Sequence, residues 1–193
     1  MKIAIDLDDV LALSLLDFID FYNEKFENKI TIEDFTGFSL NESIGMPVEE
    51  ERKLLEEYDA SHYYDNIKPM EGAKEAIKEL GESHKLAIVT SRPKKREEQT
   101  REWLKKYIGD IKEVFFIRQK YGGESKTKGE VCKEIGAEIL IEDNLDHAKS
   151  CVDKGLRVLL FDYPYNRKEN ISPLITRVKS WKEVLENLIT KEQ

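Results

Sequence analysis

Cysteine is scarce in this chain, which limits how the fold can be cross-linked. The 193 residues contain two cysteines, Cys132 and Cys151, and no Cys-x-x-Cys pair that would indicate a zinc site. Both lie on the apolar faces of predicted helices. We therefore expect two reduced thiols in the core rather than a disulfide.

Long apolar runs and an excess of positive charge are also missing. No apolar stretch approaches the roughly 20 residues that span a bilayer, and a strand begins already at Lys2, so no signal peptide is predicted. The formal net charge of -8 disfavours polymeric nucleic acid and anionic membranes as partners, because both attract basic surfaces. We expect a soluble, cytoplasmic protein that binds small molecules, and the sequence indicates no oligomeric state.

Short apolar segments alternate with amphipathic helices along most of the chain. The length fits one domain, or one core with a small insert. Helix stops are expected at Gly81, Gly136 and Gly155. Five short strands, buried on both faces, are predicted at residues 3–5, 86–89, 114–117, 139–141 and 158–161. This alternation predicts an α/β fold with a doubly wound, parallel, five-stranded Rossmann-like sheet.

One long segment interrupts this alternation. Residues 13–68 contain an aromatic helix and a charged helix but no long buried strand. We interpret them as a small helical cap inserted after strand 1. Residues 1–12 and 69–193 then form the core.

Acidic residues follow the first predicted strand directly. Asp6 and Asp8 come after Ile3-Ala4-Ile5, at the strand end where open α/β sheets bind their ligands. Two carboxylates this close repel each other, and a hard divalent cation such as Mg²⁺ would relieve the repulsion. The alternative interpretation is that these acids only end a strand and solvate a loop.

Polar residues also follow two other predicted strands, and parallel strands end at a common edge. Thr90 and Ser91 offer hydroxyl and N–H donors for an anion, although they also fit a simple strand-to-loop turn. Glu142 and Asp143 follow the fourth strand and could hold Mg²⁺ together with Asp6, although either acid could instead cap a helix. The sequence therefore predicts an anion and metal site at this edge.

A lysine completes this set. Thr127 and Glu130 form a predicted capping box, which makes Lys128 the first residue of a helix, where a phosphate would be favoured. Lys126 in the same loop is the competing candidate, and the residues alone leave both open. Paired carboxylates, a hydroxyl, a lysine and a metal-binding acid suit phosphoryl transfer, which depends mainly on positioning and charge neutralisation.

Four segments follow one another along the chain: Asp6-Leu7-Asp8-Asp9-Val10, Ile88-Val89-Thr90-Ser91, Lys128 and Ile141-Glu142-Asp143. In this order and spacing they resemble the four motifs of the haloacid dehalogenase superfamily, specifically its phosphatase branch. One departure is Asp9, where many relatives have glycine. Two further stretches are Thr90-Ser91-Arg92-Pro93 and Phe161-Asp162-Tyr163-Pro164. By these the chain is similar to the deoxyribonucleotidase-like group that has a small helical cap.

The resemblance implies a role for each carboxylate of the first motif. Asp6 would attack phosphorus and form an aspartyl-phosphate. Asp8 would protonate the leaving alcohol and then activate water, and burial near Asp6 could raise its pKa enough to hold the proton.

The other motif residues would bind the phosphate and the metal. Thr90, assisted by Ser91, would bind a phosphate oxygen, and Lys128 would neutralise the phosphate and orient Asp6. Mg²⁺ would be bound by Asp6, the backbone carbonyl of Asp8 and Asp143, with Glu142 nearby or acting through water.

The resemblance also implies that the cap closes over the site and selects the substrate. Its candidate contacts are the aromatic residues Phe18, Tyr22, Phe35 and Phe38. The predicted function is a Mg²⁺-dependent phosphomonoester hydrolase, a nucleotidase acting on (deoxy)nucleoside monophosphates.

Three alternatives remain from the sequence. One is a phosphatase for a sugar phosphate or another small metabolite. Another is a phospho-accepting signalling domain, which would need an acid after the third strand, where Ile117-Arg118-Gln119 has none. The third is a non-catalytic binding protein on the same fold.

Overall fold

The structure is a computed structural model that describes residues 1–118, 126–167 and 171–189. The predicted loop after the third strand, with Gln119, lies outside the described residues. The strands are β1 (Lys2–Ile5), β2 (Lys85–Pro93), β3 (Glu113–Arg118), β4 (Ile139–Glu142), β5 (Arg157–Phe161) and β6 (Ile175–Val178). The helices are α1 (Ser14–Phe26), α2 (Leu40–Ile44), α3 (Val48–Asp59), α4 (His62–Asp65), α5 (Ala73–Ser83), α6 (Glu97–Tyr107), α7 (Lys128–Glu134), α8 (Leu145–Val152) and α9 (Trp181–Ile189).

All six strands form one parallel sheet in the order β3-β2-β1-β4-β5-β6. Strand β1 lies between β2 and β4, with Ile5 opposite Ile88 on one side and Ile141 on the other. The chain extends outward from β1 to β3 in one direction and from β4 to β6 in the other. This reversal creates a crevice beside β1, where doubly wound sheets bind their ligands. The predicted α/β class is confirmed.

Two details differ from the sequence-based expectations. The sheet has a sixth strand, β6, which was missed because Thr176 and Arg177 interrupt its short apolar pattern. Only its two end residues are buried, as expected of an edge strand. The predicted stop at Gly81 is wrong, because α5 continues to Ser83 and ends where the His84 N–H reaches the Leu80 carbonyl at 2.8 Å.

Apolar residues cover both faces of the sheet. Ile3 and Ile5 of β1 belong to one buried cluster and Ala4 to another on the opposite face, because side chains alternate along a strand. Cys132 and Cys151 are buried in the second cluster as free thiols, as expected. None of the described helices is both long and apolar enough to span a membrane.

Residues 13–68, which we call the helical insert, have their own apolar cluster. It includes Phe18, Phe35 and Leu54 from separate elements. The insert leaves and rejoins the sheet at one place, since the Leu13 N–H bonds the Lys68 carbonyl at 2.9 Å and Ala12 bridges to Pro69. The two ends of the insert therefore lie side by side next to the sheet.

A glycine in α7 allows this helix to approach α8 closely. A Cβ atom on Gly129 would lie 2.0 Å from the Ser150 carbonyl oxygen, a backbone atom. Gly129→Ala therefore forces the two helices apart and should lower the free energy of unfolding by about 1–3 kcal/mol. Urea denaturation would measure this loss. Gly81→Ala is the matched control, since only Leu86 Cδ1 at 3.8 Å would meet its Cβ, and it should stabilise α5 by up to about 1 kcal/mol.

Candidate active site

Three adjacent strands bring the predicted motif residues to one edge. Asp6 follows β1, Thr90 lies in β2, and Glu142 ends β4, and all three side chains are buried. The Asp6 N–H donates to the Ile141 carbonyl at 2.9 Å, which joins the ends of β1 and β4. Residues far apart in sequence thus meet at the crevice beside β1.

Lys128 is the lysine that reaches this edge. Its fully buried Nζ lies 2.8 Å from Asp6 Oδ1 and 2.7 Å from Glu142 Oε2. Burial alone would lower the pKa of Lys128, but the two carboxylates raise it well above its usual range and keep the lysine charged. Lys126 is exposed and pairs instead with Glu134, 2.6 Å away. Of the two candidate lysines, Lys128 is therefore the one that lies at this edge. The predicted capping box of Thr127 and Glu130 is present.

Three buried acids could hold a metal ion. Asp6, Glu142 and Asp143 each offer one carboxylate oxygen, and these atoms lie within 4.8 Å of one another. Burial and the charge of Glu142 raise the pKa of Asp6 to about 7, and the same causes raise the pKa of Asp143 well above its usual value. Asp6 Oδ1, although ion-paired with Lys128, is buried without an aligned hydrogen bond from the described part of the chain. Excess negative charge and oxygen ligands fit a hard divalent cation.

Both carboxylate oxygens of Glu142 already have polar partners within the protein. Oε2 contacts Lys128, while Oε1 accepts the N–H groups of Asp143 at 3.2 Å and Asn144 at 3.1 Å. Burial alone would raise the pKa of Glu142, but Lys128 lowers it. Glu142 thus holds the lysine and the turn into α8, so Asp6 and Asp143 are the freer candidates for binding a metal.

The Asp8 carboxylate pairs with Arg92, a residue for which the sequence predicted no role. Arg92 Nη2 lies 2.6 Å from Asp8 Oδ1, its Nε lies 3.0 Å from Oδ2, and the Ser14 hydroxyl donates to Oδ1 at 2.5 Å. Burial alone would raise the pKa of Asp8, but Arg92 and Ser14 lower it below the usual value. The expected rise in the pKa of Asp8 is therefore wrong, because a basic partner reaches it from β2. The pairing of β2 with β3 is irregular between Thr90 and Pro93, and Arg92 lies within this irregularity.

Replacing this arginine should affect turnover more than substrate binding. Arg92→Met removes the bidentate contact that orients Asp8, the predicted acid–base group, and misplacing such a group can reduce the rate about 10- to 100-fold. We expect that loss in kcat with a smaller change in KM, measured by steady-state phosphate release. Arg92→Lys keeps the charge but not the paired N–H groups, so it should recover only part of the rate. A change confined to KM would instead place Arg92 at the substrate.

Thr90 and Ser91, which we predict to bind an anion, lie near the end of β2. Thr90 is fully buried, and its Oγ1 accepts the Arg92 N–H at 3.1 Å, which leaves the threonine hydroxyl as a donor. The Ser91 hydroxyl lies 3.2 Å from Nε2 of His147 in α8. Sequence reasoning missed His147, because no pattern relates its position in α8 to β2.

Asp9 has a backbone conformation that favours glycine. Its φ of 56° lies in the left-handed region, which glycine adopts freely and aspartate tolerates better than most residues. Its Oδ1 accepts the Leu15 N–H at 2.8 Å and so supports the turn. The departure from glycine is thus compatible with the bend after Asp6.

Three of the four predicted substrate-contacting aromatics are buried in the insert. Phe18, Tyr22 and Phe35 are each less than 8% exposed and pack in its apolar cluster, so we correct the expectation that they are available to a ligand. The sequence did not indicate which of these aromatic side chains would face the interior of the insert. Phe38 is 63% exposed, and its ring lies edge-on to Tyr165, with centroids 5.8 Å apart.

Known proteins similar in sequence are nucleotidases. A nucleotidase of Clostridium acetobutylicum is 27% identical over 95% of this chain and 91% of its own length. A 5'(3')-deoxyribonucleotidase of Bacillus subtilis is 26% identical over 97% of this chain and 98% of its own length.

Solved structures with low sequence identity share the fold. A haloacid dehalogenase-like hydrolase of Streptococcus pneumoniae has a TM-score of 0.68 at 15% identity and covers 97% of both chains. The magnesium-bound crystal structure of YfnB from Bacillus subtilis has a TM-score of 0.61 at 17% identity, again over 97% of both chains.

A family model covers the whole chain. Residues 1–193 match the family described as 5' nucleotidase, deoxy (pyrimidine), cytosolic type C protein. The full-length match agrees with the relatives above and with the four motifs at the edge of the sheet. The chain therefore belongs to this 5'-nucleotidase family, and with it to the phosphoric monoester hydrolases.

Proposed function

We propose that this protein is a Mg²⁺-dependent nucleotidase that hydrolyses (deoxy)nucleoside monophosphates through an aspartyl-phosphate on Asp6. The observation that carries the proposal is the buried cluster of Asp6, Lys128 and Asp143 at the crevice beside β1. A nucleophilic carboxylate, a fixed cation and a metal-binding acid there supply what phosphoryl transfer needs.

The first step forms the covalent intermediate. A carboxylate oxygen of Asp6 attacks phosphorus, and the bond between phosphorus and the leaving nucleoside oxygen breaks. Lys128, 2.8 Å from Asp6, opposes the rise in the pKa of that carboxyl and would neutralise charge on the phosphoryl oxygens. The Thr90 hydroxyl donates to one of these oxygens, and Ser91, oriented by His147, assists it.

Asp8 handles the proton in both steps. It protonates the leaving oxygen, and then removes a proton from the water that attacks phosphorus and releases Asp6 and inorganic phosphate. In the free protein Arg92 keeps Asp8 ionised. A phosphate dianion bound next to Asp8 would oppose this effect and favour the protonated acid, because like charges disfavour ionisation.

The residues at the site fit a magnesium ion. Asp6, Asp143 and the Asp8 carbonyl would hold it, with Glu142 beside it. Bound Mg²⁺ would neutralise the phosphate charge and reduce repulsion between the acids.

The helical insert serves as the cap in this proposal. It contacts the core at the site, since Ser14 bonds Asp8 and the Arg92 guanidinium lies 5.3 Å from the Tyr64 ring centroid. Phe38 projects an exposed ring next to Tyr165, which favours a leaving group with an aromatic base over a sugar.

The test is phosphate release from nucleoside monophosphates and sugar phosphates, with Mg²⁺ and with a chelator. We expect Mg²⁺-dependent release that is fastest with nucleotides. Faster release from sugar phosphates would overturn the nucleotide assignment, and release that persists in the chelator would overturn the metal assignment. No release from any substrate by the folded protein would argue for a binding role.

A further inference from the structure

A short turn after β5 contacts the candidate metal ligand Asp143 from two directions. The Tyr165 hydroxyl donates to Asp143 Oδ2 at 2.7 Å, and Asn166 Nδ2 donates to the Asp143 carbonyl, also at 2.7 Å. Asn166 is buried and also bonds the Phe161 carbonyl at the end of β5, which anchors the turn to the sheet. Both the side chain and the main chain of Asp143 are therefore held by residues that the four motifs do not include.

The same tyrosine contacts the helical insert. Its ring lies edge-on to Phe38 at 5.8 Å and stacks on Tyr163 at 5.1 Å with an interplanar angle of 8°. Tyr165 also packs against the apolar cluster of the insert. One side chain thus joins the insert to an acid of the metal-binding cluster.

We infer that Tyr165 is a positioning residue for the metal: it fixes the carboxylate of Asp143 and links metal affinity to the packing of Phe38. The inference rests on the proposed function, because it requires that Asp143 binds Mg²⁺. Oδ2 of Asp143 accepts the tyrosine hydroxyl, so the carboxylate is held in one orientation before the metal arrives. A free carboxylate would lose rotational freedom on binding, whereas this one has already lost it.

The test is Mg²⁺ binding to the full chain, measured by isothermal titration calorimetry without substrate. Partners of metal ligands typically contribute 10- to 100-fold to metal affinity. Tyr165→Phe keeps the ring but removes the hydroxyl, and we expect about a tenfold or larger rise in the Kd for Mg²⁺. A Kd within about twofold of wild type would overturn the inference.

Tyr163→Phe is the matched control. It removes a hydroxyl from the other ring of the stacked pair, which bonds the Asp9 carbonyl at 3.0 Å rather than a carboxylate. We expect its Kd for Mg²⁺ to stay within about twofold of wild type. An equal loss in both variants would mean that hydroxyl removal merely loosens the tyrosine pair, which contradicts a specific role for Tyr165.

A double-mutant cycle tests the link to the insert. Phe38→Ala should weaken Mg²⁺ binding severalfold in the wild-type chain and have no further effect in the Tyr165→Phe background, because the hydroxyl that transmits the change is gone. If Phe38→Ala weakened Mg²⁺ binding by the same factor in both backgrounds, the link would be overturned.

Asp143→Asn tests the metal site independently of Tyr165. If wild type binds Mg²⁺ and Asp143→Asn does not, Asp143 belongs to the metal site, whatever the effect of Tyr165→Phe. If wild type binds no Mg²⁺, the proposed function and this inference both fall.

Discussion

Asp6→Asn should abolish Mg²⁺-dependent phosphate release, with a loss in kcat of at least about 10³-fold. The amide is nearly isosteric but is not a nucleophile, so no aspartyl-phosphate can form. The fold should survive, because the substitution removes one negative charge from a buried site that holds three acids and one contacting lysine. Steady-state release and thermal unfolding, measured on the same preparation, would check both expectations.

Asp9→Asn is the matched control, because it makes the same carboxyl-to-amide change in the same loop. Burial, partly opposed by the hydrogen bond from the Leu15 N–H, raises the pKa of Asp9 to about 8, so a neutral amide is well tolerated there. Asparagine also tolerates the φ of 56° and can accept the same N–H. We expect activity within a few-fold of wild type. Similar turnover in Asp6→Asn and Asp9→Asn would exclude Asp6 as the nucleophile.

Lys128→Met has the second large expected effect, on both rate and stability. The substitution keeps an apolar stem of similar length but removes the cation between Asp6 and Glu142. Breaking a buried ion pair by deleting one partner typically lowers the free energy of unfolding by about 3–5 kcal/mol. We also expect kcat/KM to fall at least about 100-fold, because the developing phosphoryl charge loses a fixed positive partner. Urea denaturation and phosphate-release kinetics would measure the two losses.

Lys126→Met separates this effect from a general loss of positive charge. Lys126 pairs with Glu134 on the surface, where ion pairs contribute little because water screens them. Its substitution should leave the activity and the denaturation midpoint close to those of wild type. If Lys126→Met lost activity and Lys128→Met did not, the assignment of the phosphate lysine would be reversed.

The convergence of the motif residues was predictable because it depends on short-range patterns. Asp6 ends a segment that is apolar on both faces, which indicates a parallel strand, and parallel strands end at the same edge. Thr127 and Glu130 identified the start of α7 without any tertiary information, since a capping box is formed within four residues. The strand β6 was missed for the converse reason: its pairing with β5, and not its own composition, makes it a strand.

The contacts of the site depended on long-range packing. Arg92 is 84 residues from Asp8, and its burial beside that acid reverses the expected direction of the pKa shift of Asp8. Tyr165 is 22 residues from Asp143 and follows a different strand. Neither pairing could be predicted from the sequence, because the direction of a side chain at a strand end depends on how neighbouring loops bend.

The sequence alone indicated the class of the sheet, the sheet edge at which a ligand is expected, the acids and hydroxyls of the candidate site, and the resemblance to a phosphatase superfamily. The first three follow from periodicity and local spacing, which act between residues close along the chain, whereas the resemblance rests on the four motifs taken together. The tertiary structure decided that Lys128 rather than Lys126 is buried against Asp6, and that Phe38 alone of the four predicted aromatics is exposed. It also assigned partners to Asp8 and Asp143. Burial and charge pairing are properties of the packed molecule, so they are determined only when distant elements come together.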